Sequence, residues 1–195
     1  MTIKFSDVKF YKSVSLGTKE VFFDNKKEVI FVGRSNMGKS SLMNAIFEKK
    51  DLVKTSSIPG KTRLANIFVV ANKYYLTDLP GYGFAKLGRE FKDELDGLIS
   101  WYLEERKESI KNVVMLIDSK LGAQQSDIDM YEYILKLELP VTIVLSKIDK
   151  LSNSEISKSV AHASEMFFGQ TIIPISSTKK ISINELCKLI SKQLS

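Results

Sequence analysis

Short apolar runs alternate along the chain with longer stretches in which apolar residues recur every three or four positions. The short runs are rich in β-branched and aromatic residues and predict six strands. They span residues 28–32, 66–71, 73–77, 112–117, 141–145 and 171–174. A tight turn at Ala71-Asn72-Lys73 predicts an antiparallel hairpin. The other runs lack polar alternation, as is typical of parallel strands that are covered on both faces.

The longer stretches predict helices between the strands. Ser152-x-x-Glu155 and Ser182-x-x-Glu185 fit the capping box that starts a helix. Alternating strands and helices favour an α/β fold of three layers. We expect a six-stranded, mostly parallel sheet with one antiparallel strand and helices on both faces. Four prolines and no linker or repeat favour one domain over residues 1–195.

A glycine-rich segment follows the first predicted strand. Residues 33–40 read GRSNMGKS, match G-x-x-x-x-G-K-S/T, and precede a helical stretch. Gly33 and Gly38 let the backbone curl so that successive N–H groups point at phosphate oxygens, and the helix N-terminus adds partial positive charge. Lys39 can reach the terminal phosphates, and the Ser40 hydroxyl can ligate Mg²⁺. This segment therefore predicts a nucleotide phosphate site.

Asp78-Leu79-Pro80-Gly81 directly follows another predicted strand. An aspartate there can hold Mg²⁺ through water, and the Gly81 N–H can bond a γ-phosphate. Hydrolysis would break that bond, which makes residues 82–90 a candidate switch. Residues 51–65 contain a Pro-Gly turn and several hydroxyls, and we expect a mobile loop whose Thr62 binds Mg²⁺ when GTP is bound. An ordinary hydroxyl-rich loop is the alternative.

Ser146-Lys147-Ile148-Asp149 follows the strand predicted at 141–145. One carboxylate can accept both N1–H and N2–H₂ of guanine, whereas adenine lacks that pattern, so Asp149 is predicted to select guanine. The Lys147 stem can lie over the base. After the last strand, the backbone N–H groups of Ser176-Ser177-Thr178 can meet the guanine O6.

Charge and composition narrow the class of partner. The chain of 195 residues carries a net charge of +6, and residues 1–100 hold 17 basic and 11 acidic side chains against 12 and 12 in the rest. A basic half suggests nucleic acid or a nucleoprotein surface, with a solvated lysine-rich surface as the alternative. One cysteine excludes an internal disulfide. With no membrane-length apolar run, we expect a cytoplasmic protein without membrane contact.

The ordered motifs resemble those of the GTPase branch of the P-loop NTPases. Within that branch, the chain resembles the EngB (YihA/YsxC-type) family of bacterial GTPases over nearly its whole length. Four segments carry this resemblance: GRSNMGKSSLMNAI, PGKTR, DLPGYGFAK and SSTKK. The resemblance implies a Mg²⁺-dependent switch that hydrolyses GTP to GDP and phosphate. It also implies a role in assembly of the large ribosomal subunit, with a link to cell division and septation. We expect a monomer.

The resemblance also assigns roles to residues. It places Mg²⁺ on Ser40 and Thr62, the first switch at 60–64, and the hydrolysis step at Lys39, Thr62 and Gly81. The residues expected to contact nucleotide are Gly33, Arg34, Ser35, Asn36, Met37, Gly38, Lys39, Ser40, Ser41, Gly60, Lys61, Thr62, Arg63, Leu64, Asp78, Leu79, Pro80, Gly81, Ser146, Lys147, Ile148, Asp149, Ser176, Ser177 and Thr178.

Two positions depart from the family pattern, and a third position bears on catalysis. Ser146 stands where the family has Asn or Thr, and Ile181 stands where it often has Gly. Many GTPases carry a glutamine after D-x-x-G, whereas this chain has Tyr82, a poor base with an ordinary pKa near 10. Slow intrinsic turnover is expected. Asn36 is a candidate K⁺ ligand near the transferred phosphate, which would make K⁺ stimulate hydrolysis.

The sequence leaves three hypotheses about function open. The first is a GTP-hydrolysing switch for an assembling ribosomal particle. The second is a nucleotide-gated module for RNA or protein with negligible turnover, which the missing glutamine keeps open. The third, a P-loop ATPase or kinase, is disfavoured by Asp149.

Overall fold

A computed structural model describes residues 3–18, 24–54, 64–83 and 89–195. Its strands are β1 Val8–Val14, β2 Glu28–Gly33, β3 Ala65–Val70, β4 Tyr74–Asp78, β5 Ile110–Asp118, β6 Val141–Ser146 and β7 Thr171–Pro174. Its α-helices are α1 Lys39–Phe47, α2 Arg89–Glu105, α3 Gln125–Lys136, α4 Asn153–Met166 and α5 Ile183–Leu194. A short 3₁₀ helix covers Ile148–Lys150.

The strands form one sheet in the order β1-β3-β4-β2-β5-β6-β7. The pairs β1–β3 and β3–β4 are antiparallel, and all other pairs are parallel. The single antiparallel strand is therefore β3, as predicted. Positive φ angles of 50° and 51° at Ala71 and Asn72 form the predicted tight hairpin turn.

The predicted count of six strands is wrong, because β1 is a seventh. Its burial is confined to the two end residues, Val8 and Val14, while the residues between them are exposed or half-buried. The register shifts between Phe10 and Lys12, so Tyr11 is an extra residue in the pairing with β3. An edge strand with a bulge shows no period-two apolar pattern, which is why the sequence does not reveal it.

Helices cover both faces of the sheet, as the alternation of elements predicts. One face packs against α1 and α5 through residues such as Phe47 and Leu186, and the other against α2, α3 and α4 through residues such as Tyr102 and Ile134. Burial of these apolar side chains supplies the main stabilisation. Among the described residues, no helix is both long and apolar enough to cross a bilayer.

The two predicted capping boxes have different outcomes. Ser152 and Glu155 cap α4 reciprocally: the Glu155 N–H donates to Ser152 Oγ (3.4 Å), and the Ser152 N–H donates to Glu155 Oε2 (2.7 Å). Ser182 makes no side-chain cap to α5 and has a φ of 56°. An N-cap side chain reaches its N–H from an extended backbone, so the left-handed conformation explains why the second box is absent.

Candidate nucleotide site

Parallel strands β2, β4, β5, β6 and β7 bring their carboxyl ends to one edge of the sheet, where ligands of such folds bind. The glycine-rich segment leaves β2 there and enters α1 at Lys39. Asn36 and Gly38 have positive φ angles of 66° and 91°, which curl the segment into a loop. The structure thus has the strand–loop–helix context that the phosphate-site prediction requires.

Two of the glycines allow backbone segments to approach closely. A Cβ at Gly33 would lie 3.0 Å from the Leu116 carbonyl oxygen on β5. A Cβ at Gly81 would lie 3.0 Å from both the N and Cα atoms of Ser35. The Ser35 N–H also donates to the Tyr82 carbonyl (3.2 Å). The D-x-x-G segment therefore packs directly against the phosphate loop.

Lys39 forms an ion pair with Asp78. Their side chains are 11% and 5% exposed, so the ion pair is largely removed from solvent. The contact joins the first residue of α1 to the last residue of β4 and unites the two motifs that the sequence assigns to phosphate and metal. Ser40 is half-buried in the same first turn of α1.

Tyr82 turns away from the phosphate loop toward α3. Its buried hydroxyl donates to Asp127 Oδ1 (2.9 Å), and Asp127 Oδ2 accepts from the Gln124 N–H (2.9 Å). Burial and the neighbouring carboxylate hold the pKa of Tyr82 well above its ordinary value. Burial also raises the pKa of Asp127, and the hydrogen bonds from Gln124 and Tyr82 offset this in part. The phenol therefore stays protonated at neutral pH.

Asp149 and Ser176 meet at the predicted base site. The Ser176 hydroxyl donates to Asp149 Oδ1 (2.6 Å), which lowers the pKa of Asp149 and keeps its carboxylate charged. Ser176 is fully buried, and its Oγ also accepts from the Lys179 N–H (3.1 Å). The Ser176 N–H pairs with the Ile181 carbonyl at 3.4 Å, and the Ile181 N–H with the Ser176 carbonyl at 2.9 Å. The serine side chain thus orients Asp149.

Lys147 links the base motif to the phosphate loop. Its Nζ donates to the Asn36 carbonyl (2.6 Å) and to Asp118 Oδ2 (2.9 Å). A Cβ built at Gly38 would lie 4.0 Å from the Lys147 Cε, so the Lys147 side chain passes over Gly38, the residue just before α1. The two predicted subsites are therefore joined by one side chain.

Two aspartates at this edge of the sheet, Asp118 and Asp127, are not among the site residues predicted from the sequence. Burial raises the pKa of Asp118, but hydrogen bonds from Lys147 and from the backbone outweigh it and leave the pKa below its ordinary value. Asp127 is the second. Asp118 directly follows the strand predicted at 112–117, and this position at the site edge is a signal that could have identified it. Only the contact with Tyr82 singles out Asp127.

The structure places the predicted nucleotide-contacting residues in four groups. Ser146, which departs from the family pattern, is buried and donates to the Ile117 carbonyl (3.2 Å). Leu64 is described and exposed. Four predicted residues lie outside the described residues: Gly60, Lys61, Thr62 and Arg63. Positions 84–88 of the second candidate switch also lie outside them. The other residues predicted to contact nucleotide lie at the ends of β2 and β4, in the first turn of α1, or in the segments that follow β2, β4, β6 and β7 at this edge: Gly33, Arg34, Ser35, Asn36, Met37, Gly38, Lys39, Ser40, Ser41, Asp78, Leu79, Pro80, Gly81, Lys147, Ile148, Asp149, Ser176, Ser177 and Thr178.

Comparisons with known proteins agree with this geometry. The family described as 50S ribosome-binding GTPase matches residues 28–147. A probable GTP-binding protein EngB of Thermotoga maritima is 44% identical over 172 residues, which cover 87% of each chain. One from Clostridium botulinum is 49% identical over 136 residues, covering 70% of this chain and 68% of the relative. The crystal structure of a probable GTP-binding protein engB superposes with a TM-score of 0.73 at 26% identity, covering 86% of this chain and 98% of that one.

Proposed function

The chain belongs to the EngB family of GTP-binding proteins, and we propose that it serves as a GTP-controlled switch in assembly of the large ribosomal subunit. As a member of that family it is a GTPase. We further propose that it works in the cytoplasm as a monomeric single domain, and that normal cell division and septation depend on it. One observation carries the nucleotide-dependent part of the proposal: Lys147, from the motif assigned to the base, contacts the phosphate loop at Asn36 and also Asp118 at the end of β5. The match to the family described as 50S ribosome-binding GTPase supports the ribosomal part.

The proposed phosphate site uses the N-terminus of α1 and the loop before it. Backbone N–H groups of the curled loop surround the phosphates, and the helix dipole favours their negative charge. Lys39 exchanges its Asp78 partner for the terminal phosphate oxygens, so nucleotide binding replaces one buried ion pair by another. The Gly81 N–H, which lies beside Ser35, then reports whether a γ-phosphate is present.

The donor chemistry at this edge suits Mg²⁺. Ser40 supplies a hydroxyl oxygen at the first turn of α1, and the Asp78 carboxylate lies at the adjacent end of β4. Mg²⁺ prefers hard oxygen ligands and keeps several waters, so one hydroxyl with phosphate oxygens, Thr62 and a water-linked carboxylate is a suitable set. When bound, the ion neutralises charge that develops on the transferred phosphate.

Guanine recognition rests on Asp149. The exposed carboxylate is held by Ser176 and stays ionised, as it must in order to accept two N–H donors from one base edge. A base without that donor pair leaves the carboxylate unsatisfied and is rejected. Because the Ser176 N–H donates to the Ile181 carbonyl, the backbone N–H groups of Ser177 and Thr178 are the proposed donors for O6.

Slow hydrolysis fits the position of Tyr82. Its hydroxyl donates to Asp127, and its raised pKa keeps the phenol protonated, so no phenolate is available to accept a proton from water. Positioning and charge neutralisation by Lys39 and the loop then supply most of the rate enhancement. The same observation favours the second candidate function, a nucleotide-gated binding module in which turnover matters little.

Co-sedimentation with purified large ribosomal subunits tests the switch. Binding is compared without nucleotide, with GDP and with a non-hydrolysable GTP analogue, each at low and high salt. The proposal requires binding with the analogue that weakens as salt rises, because contacts to RNA phosphates release counterions. Equal binding in all three states, or none in any, contradicts it.

A matched pair of variants links the result to the nucleotide. Lys39→Ala removes the phosphate-loop lysine and is expected to abolish analogue-dependent binding. Lys136→Ala removes an exposed lysine from α3 and controls for the loss of one positive charge. Tight GTP binding by Lys39→Ala would overturn the assignment of this loop to phosphate. Single-turnover hydrolysis on the subunit separates the two candidate functions, since a binding module requires no acceleration there.

A further inference from the structure

Much of the net charge of the chain gathers around one edge strand of the sheet. Residues 3–18, 24–27 and 71–75, here called the β1 edge, contain six lysines and two aspartates. The segments are contiguous in space: the Ala71 N–H donates to the Asp7 carbonyl (2.8 Å), and the Tyr75 N–H donates to the Lys27 carbonyl (3.0 Å). The surface therefore carries a net +4, against +6 for the whole protein.

Two half-exposed aromatic rings lie on this surface. Tyr11 is 49% exposed and stacks on Tyr75, with ring centroids 5.5 Å apart and planes inclined by 23°. Phe10 is 51% exposed and meets Phe68 edge-on at 5.7 Å. Phe68 and Tyr75 belong to the cores on opposite faces of the sheet, so one ring lies on each side of its edge. Each ring is held by an inner ring and keeps much of its area open.

Lysines lie near aromatic rings of this surface. Lys12 Nζ lies 5.2 Å from the centroid of the exposed ring of Tyr11, and Lys73 Nζ lies 5.2 Å from the centroid of the buried ring of Tyr74. Lys9 and Lys73 are exposed and form no ion pair within the described part of the chain. The pairing Val8↔Val70 puts Lys9 close to the hairpin that carries Lys73. Exposed aromatic faces with lysines nearby are the elements of a surface for single-stranded nucleic acid.

The strand itself is poorly suited to pairing with another protein strand. The bulge at Tyr11 interrupts its register, and Lys9 and Lys12 add charge. Bulges and lysines are the devices by which edge strands resist such pairing. A duplex is also a poor match, because stacked and paired bases cannot place their faces on Tyr11 or Phe10.

We propose that the β1 edge binds single-stranded RNA, with unpaired bases stacked on Tyr11 and Phe10. Lys9, Lys12 and Lys73 neutralise the phosphates as the strand crosses the edge of the sheet. The inference rests on the proposed function, because it locates where this GTPase touches an assembling ribosomal particle. The β1 edge would recognise RNA by base stacking and by charge, so we expect the affinity to depend little on the base sequence.

Fluorescence anisotropy with a labelled oligouridine of about 12 nucleotides tests the surface directly. Tyr11→Ala is expected to weaken binding roughly 10-fold to 100-fold, the range for loss of one base–aromatic stack. Tyr11→Phe keeps the ring and is expected to restore most of the affinity. Phe168→Ala, at a residue 88% exposed near the opposite end of the sheet, is the matched aromatic control and is expected to have no effect.

The lysines are tested by the salt dependence of the same binding. The double variant Lys9→Ala/Lys73→Ala is expected to reduce the slope of log affinity against log salt by about 1.4, at about 0.7 for each lost phosphate contact. Lys136→Ala/Lys188→Ala removes the same charge from α3 and α5 and is expected to leave the slope unchanged. Equal losses in both double variants would overturn the proposal, because net charge alone would then explain binding.

Two further results would also overturn it. One is an RNA duplex bound as tightly as the single strand and insensitive to Tyr11→Ala. The other is a Tyr11→Ala protein that binds RNA normally but no longer binds ribosomal proteins stripped of RNA, which would make the edge a protein interface.

Co-sedimentation separates this inference from the switch itself. If Tyr11→Ala attaches to large subunits as the wild type does while Lys39→Ala does not, the β1-edge inference fails and the switch stands. If the wild type binds oligouridine through Tyr11 but attaches to subunits equally in every nucleotide state, the inference stands and the switch fails.

Discussion

The phenolic hydroxyl of Tyr82 donates a 2.9 Å hydrogen bond to Oδ1 of Asp127. This bond ties the residue after Gly81 to the first turn of α3, while the Tyr82 carbonyl accepts from the Ser35 N–H of the phosphate loop. One residue thus connects the candidate γ-phosphate sensor with a helix on the far side of the loop. We expect its side chain to act in positioning and not in proton transfer.

Tyr82→Phe is expected to leave kcat for GTP hydrolysis within about twofold, while the free energy of unfolding falls by about 1 kcal/mol through loss of a buried hydrogen bond. Tyr102→Phe is the matched control, because Tyr102 is equally buried and donates to Glu28 (2.6 Å) in a cluster of Thr77 and Arg106. Steady-state kinetics and urea denaturation measure both quantities. A hundredfold loss of kcat in Tyr82→Phe alone would assign the phenol to the chemistry.

Asp118→Asn is expected to weaken GDP and GTP about equally, by roughly tenfold, because a hydrogen bond to a charged group contributes about 1.5 kcal/mol. The Asp118 carboxylate holds Lys147, and Lys147 contacts the loop that both nucleotides share. Titration with a fluorescent nucleotide measures the two affinities. Glu138→Gln is the control: it breaks the exposed ion pair with Lys107 (3.5 Å) and should change neither nucleotide affinity. A selective loss of GTP affinity would argue against this role.

Potassium is expected to accelerate GTP hydrolysis relative to sodium at equal ionic strength, with Asn36 among its ligands. Asn36 has a left-handed backbone at the exposed tip of the phosphate loop. Asn36→Ala should remove the difference between the two salts while retaining GDP binding. Phosphate release assays in each salt make the comparison. Identical wild-type rates in K⁺ and Na⁺ would eliminate this site.

Guanine selectivity is expected to stay constant between about pH 5 and pH 8. The hydrogen bond from Ser176 lowers the pKa of Asp149 below its ordinary 3.8, so the carboxylate is charged throughout that window. Selectivity is then lost only in more acidic solution, as the pH falls through the lowered pKa. Competition of GDP and ADP for a fluorescent nucleotide gives the ratio at each pH. A ratio that changes near pH 6 would point to another titrating group.

Much of the fold could be predicted from the sequence, because buried parallel strands leave strong apolar runs. Strand β1 could not, since its interior faces solvent and its bulge at Tyr11 breaks the alternation. The capping box at Ser182 fails for a different reason. The bridge between Ser176 and Ile181 brings the chain into α5 with a left-handed turn, and tertiary geometry overrides the local pattern.

At the site, sequence motifs identify the residues expected to contact the nucleotide, but they do not reveal the contacts that keep those residues in position. Asp149 follows from the chemistry of guanine, whereas the Ser176 hydroxyl that orients it is visible only in three dimensions. Asp118 and Asp127 are single aspartates without a motif, and their contacts with Lys147 and Tyr82 cross gaps of 29 and 45 residues. Supporting contacts of this kind depend on topology, which the local pattern does not encode.

Co-sedimentation of Asp149→Asn with large ribosomal subunits shows directly whether a nucleotide bound at Asp149 controls attachment. An asparagine donates to the extra oxygen that xanthine carries in place of the guanine amine, so the variant should exchange one base for the other. Attachment with a non-hydrolysable xanthosine triphosphate analogue and its loss with the guanosine analogue is the predicted result. Attachment of the correctly folded variant that still follows the guanosine analogue, or that ignores both nucleotides, would contradict a GTP-controlled switch read through Asp149.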